Sequence, residues 1–300
     1  MQFERRKFYE PEKILSAARD QVGRAREAGE AVDYLTLVPD GEPTLDINLD
    51  REIEMLRSLG VKIAVITNGS LIWCEGVRDA LMKADWVSLK MDSVQEDVWR
   101  RVDRPHGALR LDSILDGALE FARAFEGRLV TETMLVEGVN DSSDHVGAVA
   151  GFLAELQPSV IYLSIPTRPP AEKWACAPCE AAVNRAYQIV SQELDVGSKR
   201  PAVEYLIGYE GNAFAFTGDV KQDLLSITSV HPMREEAVSE FLKRADADWS
   251  VVDTLLAHGQ LVVTEYGGRD FYLRRLQRAA EGTGRRPNGV RGGDVERRQR

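Results

Sequence analysis

The chain has 300 residues, 44% of them hydrophobic and 29% charged, with a formal net charge of −10. That length favours about two domains with a sizeable core, and no run approaches the ~20 apolar residues of a membrane span. The opening MQFERRKFYEPEKIL lacks the apolar stretch of a signal peptide, which predicts a cytoplasmic protein. Seven Arg and three acidic residues fall in 277–300, so the first 276 residues carry −14. A body that acidic is a poor candidate for non-specific nucleic-acid binding, because the phosphate backbone would repel it, and a local basic groove is not excluded. The three cysteines, Cys74, Cys176 and Cys179, are too few and odd in number for a disulfide framework.

In chain order the pattern predicts a helix over 11–28, a strand over 34–38, a helix over 47–59, a strand over 62–67 and a helix over 75–82. A strand over 86–90, a helix over 111–125, a strand over 129–136, a helix over 143–156, a strand over 160–165 and a helix over 181–193 follow. The strands are nearly continuous apolar runs, as in a parallel sheet covered by helices. The helices carry apolar residues at three-to-four spacing, for example Leu49, Ile53 and Leu56. Repeated βα units mean an α/β fold, either an open doubly wound sheet or a barrel-like curl.

After about residue 200 the pattern breaks. Segments 203–207 and 213–216 read as short strands, and 224–229 leads into His231-Pro232. Helices are predicted over 234–243 and 249–258. Segments 261–265 and 270–274 flank Tyr266-Gly267-Gly268-Arg269, a hairpin turn. Two helices and a hairpin describe a winged-helix-like α+β domain. The predicted division is 1–218, 219–276 and an Arg- and Gly-rich tail, 277–300, without periodicity and expected to be disordered.

Functional residues of parallel α/β folds gather at the carboxyl ends of strands. The first such end carries Asp40-Gly41-Glu42-Pro43, the second Thr67-Asn68-Gly69-Ser70, and the third Ser88-Leu89-Lys90-Met91-Asp92-Ser93. The fourth strand carries Glu132 and Thr133 and ends at Glu137-Gly138-Val139-Asn140-Asp141; the fifth ends at Pro166-Thr167-Arg168. Taken singly, Gly41-Glu42-Pro43 also reads as a strand-to-helix connection, Asn68-Gly69 as a plain turn and Asn140-Asp141-Ser142-Ser143 as a helix cap. Together, a carboxylate, amides, a lysine and hydroxyls on one rim suit a zwitterion with sugar hydroxyls: carboxylate to ammonium, lysine to carboxylate, amides to hydroxyls.

The series GEPTL, TNGS, SLKMDS and VEGVND resembles the radical S-adenosylmethionine (SAM) superfamily, in particular Fe–S oxidoreductase-like proteins related to the wyosine-forming tRNA enzymes. Arg104-Pro105-His106-Gly107, the IPTRPP stretch and the SITSVHPMREEAV segment at 226–238 belong to the same resemblance, which covers about 3–276. It implies a partial (β/α) barrel of the radical SAM type. Gly41, Glu42 and Pro43 would hold the methionine amino group of SAM. Asn68 and Lys90 would approach the ribose and carboxylate, Glu132 would point at the cofactor, and Thr167 would stand near the adenosine. The resemblance further implies a [4Fe–4S] cluster in a C-x3-C-x2-C loop, an electron donor such as ferredoxin or flavodoxin, and reductive cleavage of SAM to a 5′-deoxyadenosyl radical that abstracts hydrogen from a substrate.

No cysteine precedes Cys74, and 3–9 resembles the segment that follows the cluster loop. The expectation is therefore a barrel lacking its first strand and its cluster ligands, through a late start, a fragment or a genuine truncation, and inactive alone. Cys176-Ala177-Pro178-Cys179 supplies two thiols, not three; it reads as incidental loop cysteines, an auxiliary metal site or a redox pair. His106, His145, His231 and His258 form no ligand pattern. Two other functions stay open. One is a non-catalytic binding or regulatory protein with a remnant SAM fold, although 219–276 holds ten acids against seven bases, where a DNA-binding winged helix is basic. The other is tRNA modification, which would need a basic surface.

Overall fold

In the computed structural model, residues 4–38, 41–194, 201–206, 214, 216, 218–230, 232–266 and 268–275 are described. The tail 277–300 lies outside that set, as do half of the expected strand over 213–216, Asp40 and His231.

Six strands form one parallel sheet in sequential order: β1 (Tyr34–Leu37), β2 (Lys62–Thr67), β3 (Trp86–Lys90), β4 (Arg128–Met134), β5 (Val160–Ser164) and β6 (Ala202–Leu206). The register runs from Leu37 beside Val65 to Lys90 beside Glu132 and Met134 beside Ser164. Strictly sequential parallel order follows from right-handed βα crossovers, each of which returns the chain beside its last strand. Between the strands lie α1 (Pro11–Glu27), α2 (Leu49–Arg57), α3 (Glu75–Leu81), α4 (Glu96–Val102), α5 (Leu111–Ala124), α6 (Ser143–Leu156) and α7 (Glu180–Glu193). The predicted stripe on α2 is the buried one: Leu49, Ile53 and Leu56 are each at most 2% exposed. With Ile63, Val65, Val87, Leu89, Phe121, Leu153 and Ile161 they form one core between sheet and helices.

The sequence reading lacks helices at Glu96–Val102 and Val220–Val230, and it leaves the strand over 203–207 outside the main sheet. The segment placed after the break in the pattern is a sixth parallel strand: β6 pairs Ala202 with Val160 and Leu206 with Ser164. It is largely exposed, as an edge strand can be, so its apolar signal is weak. Helix α4 was not expected, because its seven residues bury only Trp99 and show no stripe.

The close packing of α5 rests on Gly117. A Cβ there would lie 2.7 Å from Ile72 O and 2.7 Å from Trp73 Cα, both backbone atoms that have little room to move. Gly117→Ala is expected to lower stability by about 1–3 kcal/mol, measured by urea denaturation.

The C-terminal elements are α8 (Val220–Val230), β7 (Met233–Arg234), α9 (Glu235–Arg244), α10 (Ser250–Ala257), β8 (Leu261–Tyr266) and β9 (Arg269–Arg274). The last three strands form an antiparallel sheet in the order β7-β9-β8. Leu224, Met233, Phe241, Leu255 and Leu261 form a second core beneath it. Tyr266 Oη donates to Pro166 O at 3.2 Å, tying the hairpin to the loop after β5. Among the described residues no helix is long and apolar enough to cross a membrane.

Candidate functional site

The chain leaves β1, passes Gly41-Glu42 and enters a short 3-10 turn, Pro43–Leu45. Proline at the first position of that turn fixes its φ, and Glu42 caps it with an extended backbone. The Glu42 side chain turns inward and is only 9% exposed. Its Oε1 accepts from Thr44 N at 3.0 Å, Thr44 Oγ1 at 2.7 Å and Thr67 Oγ1 at 2.5 Å. Its Oε2 accepts from Asn68 N at 2.7 Å. The carboxylate is therefore aimed and fixed at the carboxyl end of β2. Burial pushes its pKa up, against the hydrogen bonds, which favour the anion. Oε1 is fully occupied, whereas Oε2 keeps acceptor capacity for one more donor.

Asn68 is exposed, and its Oδ1 accepts from Ser70 N at 2.9 Å. Gly69 follows at φ +69°, a left-handed turn suited to glycine. The plain-turn reading of Asn68-Gly69 thus describes its side-chain oxygen, while its backbone N–H serves Glu42.

Lys90 ends β3 directly beside Glu132 on β4. Lys90 Nζ lies 3.1 Å from Glu132 Oε1 and 3.9 Å from Asp92 Oδ2. Ser164 Oγ, at the end of β5, donates to the same Glu132 oxygen at 2.8 Å. Burial pushes the Lys90 ammonium down, but Asp92 and Glu132 outweigh it and leave its pKa raised. Burial likewise opposes ionisation of Glu132, and Lys90 reverses that to a lowered pKa. Burial, then the charge of Asp92, pushes the Asp103 carboxyl up, and burial raises Asp92 as well.

Lys90, Glu132, Ser164, Thr167 and Arg168 line one cavity of about 770 Å³, together with Trp174 and Tyr205. Gly41, Glu42 and Pro43 line another, of about 530 Å³, with Phe8, Leu37 and Leu49. Asn68 lines neither; its N–H links the rim to Glu42. Neighbouring strands lie about 4.8 Å apart, so two strand spacings, about 10 Å, separate the β2 end that holds Glu42 from β4, which carries Glu132.

Four residues of this region carried no sequence signal of their role. Asp92 fixes the β3 and β4 ends, its Oδ1 accepting from Met134 N at 2.6 Å. Asn140 is wholly buried; it accepts from Val136 N at 2.7 Å and donates to Asp92 O and Met134 O. Within the expected cap Asn140-Asp141-Ser142-Ser143, it is Ser142 that caps α6. Ser164 looked like any strand residue. Glu52, on α2, is 4% exposed, and burial with the charges of Asp46 and Asp50 pushes its carboxyl up to about 7. Between the ordinary glutamate value and about 7, the unfolded chain loses this proton while the folded chain keeps it. Stability is therefore expected to fall as pH rises through that window, by at most about 3 kcal/mol, and to level off above it. Glu52→Gln should flatten this slope in thermal melts recorded across pH.

The strand-end series on a sequential parallel sheet is what a comparison with known proteins decides. The radical SAM superfamily model matches residues 2–147. A UPF0026 protein of Methanocaldococcus jannaschii is 41% identical over 274 residues, 91% of this chain and 84% of that one. The chain belongs to the UPF0026 proteins of the radical SAM superfamily. A UPF0026 protein of Helicobacter pylori is similar at 28% identity, covering 80% of this chain and 75% of its own length. Among solved structures, TYW1 with a lysine–pyruvate adduct bound is similar at 20% identity and a TM-score of 0.49, covering 64% of this chain and 65% of that one.

The superfamily implies a [4Fe–4S] cluster, which needs three thiolates from one short loop. In this radical SAM chain Cys74 caps α3, while Cys176 and Cys179 are exposed before α7. Among the described residues no three of His, Cys, Asp and Glu are grouped to hold a metal ion. The residues present do not fit the cluster.

Proposed function

We propose that this chain is a SAM-binding domain whose ligand lies across the carboxyl rim from β2 to β5. The observation that carries the reading is the Glu42 carboxylate, buried, fixed by four hydrogen bonds and left with acceptor capacity on Oε2. It would take the methionine ammonium of SAM, a charge-assisted bond. Lys90 would face the methionine carboxylate, Glu132 the ribose hydroxyls, Asn68 the rim between them, and Thr167 the adenosine. SAM supplies a sulfonium, which activates the three carbons bonded to it. Reductive cleavage, the superfamily's usual use of that sulfonium, calls for a cluster that this chain's residues do not supply. The chain's own part is to bind and orient.

The same reading takes 1–218 as a partial radical SAM barrel and 219–276 as a winged-helix-like unit. The order helix, strand, helix, helix, hairpin supports the latter. Its acidic balance favours docking on protein or capping of the rim over reading nucleic acid.

Equilibrium dialysis against labelled SAM tests the proposal. Saturable binding is expected, with 5′-methylthioadenosine, which lacks the amino-acid end, at least about tenfold weaker. Absence of saturable binding, or equal binding of the two, would overturn it.

A further inference from the structure

The cavity of about 530 Å³ lies between the strap 5–9, α1, the end of β1 and α2. The strap is fastened from both sides: Arg6 N donates to Leu45 O at 2.9 Å and Ile47 N donates to Arg6 O at 3.1 Å. Phe8, Tyr9, Leu37 and Leu49 give the cavity apolar walls. Its other notable lining is three carboxylates, Glu42, Asp46 and Glu52, with no Lys, Arg or His among the described lining residues.

Two of the three already accept hydrogen bonds from the fold, and the spare capacity of one of them, Glu42, belongs to the SAM reading. Glu42 accepts the four hydrogen bonds given above. Asp46 accepts from Phe8 N and Tyr9 N on Oδ2 and from Asn48 N on Oδ1, at 3.1, 3.2 and 2.8 Å. Glu52 is different. It is 4% exposed, and its buried Oε1 accepts no hydrogen bond. The charges nearest it, Asp46 and Asp50, have its own sign.

Above about pH 7, where Glu52 ionises, a buried carboxylate oxygen with neither a donor nor a cation is costly to maintain. What would satisfy it must bring N–H donors and positive charge, and must tolerate apolar walls. A metal ion does not match, since among the described residues no three ligating side chains are grouped here. An organic ammonium matches both halves: its N–H bonds would go to Glu52, and its hydrocarbon body would cover Leu37, Leu49 and Phe8. We propose that this cavity binds a small primary ammonium ion with an apolar body, anchored by the Glu52 carboxylate. The site is separate from the Lys90–Glu132–Thr167 cavity and does not rest on the SAM reading, although Glu42 borders it.

The test is NMR titration of the full chain, labelled at Leu and Ile methyls, with phenethylammonium chloride. Saturable shifts centred on Leu37 and Leu49 are expected at or below about 10 mM probe, with phenethyl alcohol at least about tenfold weaker. Glu52→Gln should weaken the ammonium at least about tenfold while leaving the alcohol unchanged. No saturable shift in the wild-type chain, or equal binding of ammonium and alcohol, would overturn the proposal; both readings stand on the wild-type protein if the variant fails to fold. Equal weakening of SAM by Glu52→Gln would overturn it too, by making Glu52 part of the SAM site. Failure of SAM to bind at all would leave the ammonium result unaffected.

Discussion

Glu42→Gln is expected to weaken both the fold and SAM binding, even though the two side chains share a shape. Each oxygen of Glu42 faces a backbone N–H: Oε1 that of Thr44, Oε2 that of Asn68. Hydroxyls can rotate to donate or accept; backbone N–H groups cannot. Whichever way the glutamine amide is placed, its NH2 meets one of those N–H groups. One buried donor then loses its acceptor, at a cost of about 1–3 kcal/mol. The negative charge is lost as well, so the ammonium of SAM should bind about 10- to 100-fold less tightly, as for a charge-assisted bond of about 1.5–3 kcal/mol. Denaturant titration measures the first effect and dialysis the second. A variant that matches the wild type in both would remove Glu42 from the account.

Lys90→Met should cost more stability, about 3–5 kcal/mol. The methionine fills similar space, but Glu132 and Asp92 lose the ammonium that both of them face. Ser164 would still donate to Glu132, and one hydroxyl does not neutralise two charges. The carboxyls should respond by taking up protons. The sign follows from that: Glu132, now lowered by Lys90, would rise in pKa. In the wild type a lowered carboxyl adds stability above its unfolded value and loses it as pH falls through the folded value. In the variant the Glu132 contribution should reverse, so that stability improves toward acid pH. A loss under about 1 kcal/mol would mean that the pair is solvated like a surface bridge.

Much of this was legible in the chain. Parallel strands buried on both faces must be apolar throughout, so β2 to β5 announce themselves, and Leu49, Ile53 and Leu56 mark their helix by spacing. Strand ends carry function in such folds, which is why Glu42, Lys90, Glu132 and Thr167 could be picked out before any geometry. Edge and short elements were harder. An edge strand like β6 keeps one side in water, and a helix like α4 with one buried residue has no period to detect. Least legible were the polar residues whose importance is tertiary. Glu52 sits in LDREIEMLR among other charges, and nothing local says that it alone turns into a cavity without a partner. Asp92 and Asn140 are far apart in sequence and meet only because the β3 and β4 ends adjoin. The division of the predicted site residues between two cavities is likewise a matter of how α2 and the 3-10 turn pack, which periodicity does not encode.

The most direct test of the central claim is a crystal structure of this chain grown with SAM. The account predicts the methionine ammonium within hydrogen-bond reach of Glu42 Oε2, its carboxylate toward Lys90, and the adenosine in the cavity lined by Glu132 and Thr167. SAM bound away from Glu42, or a well-ordered rim with no SAM at saturating concentration, would contradict it.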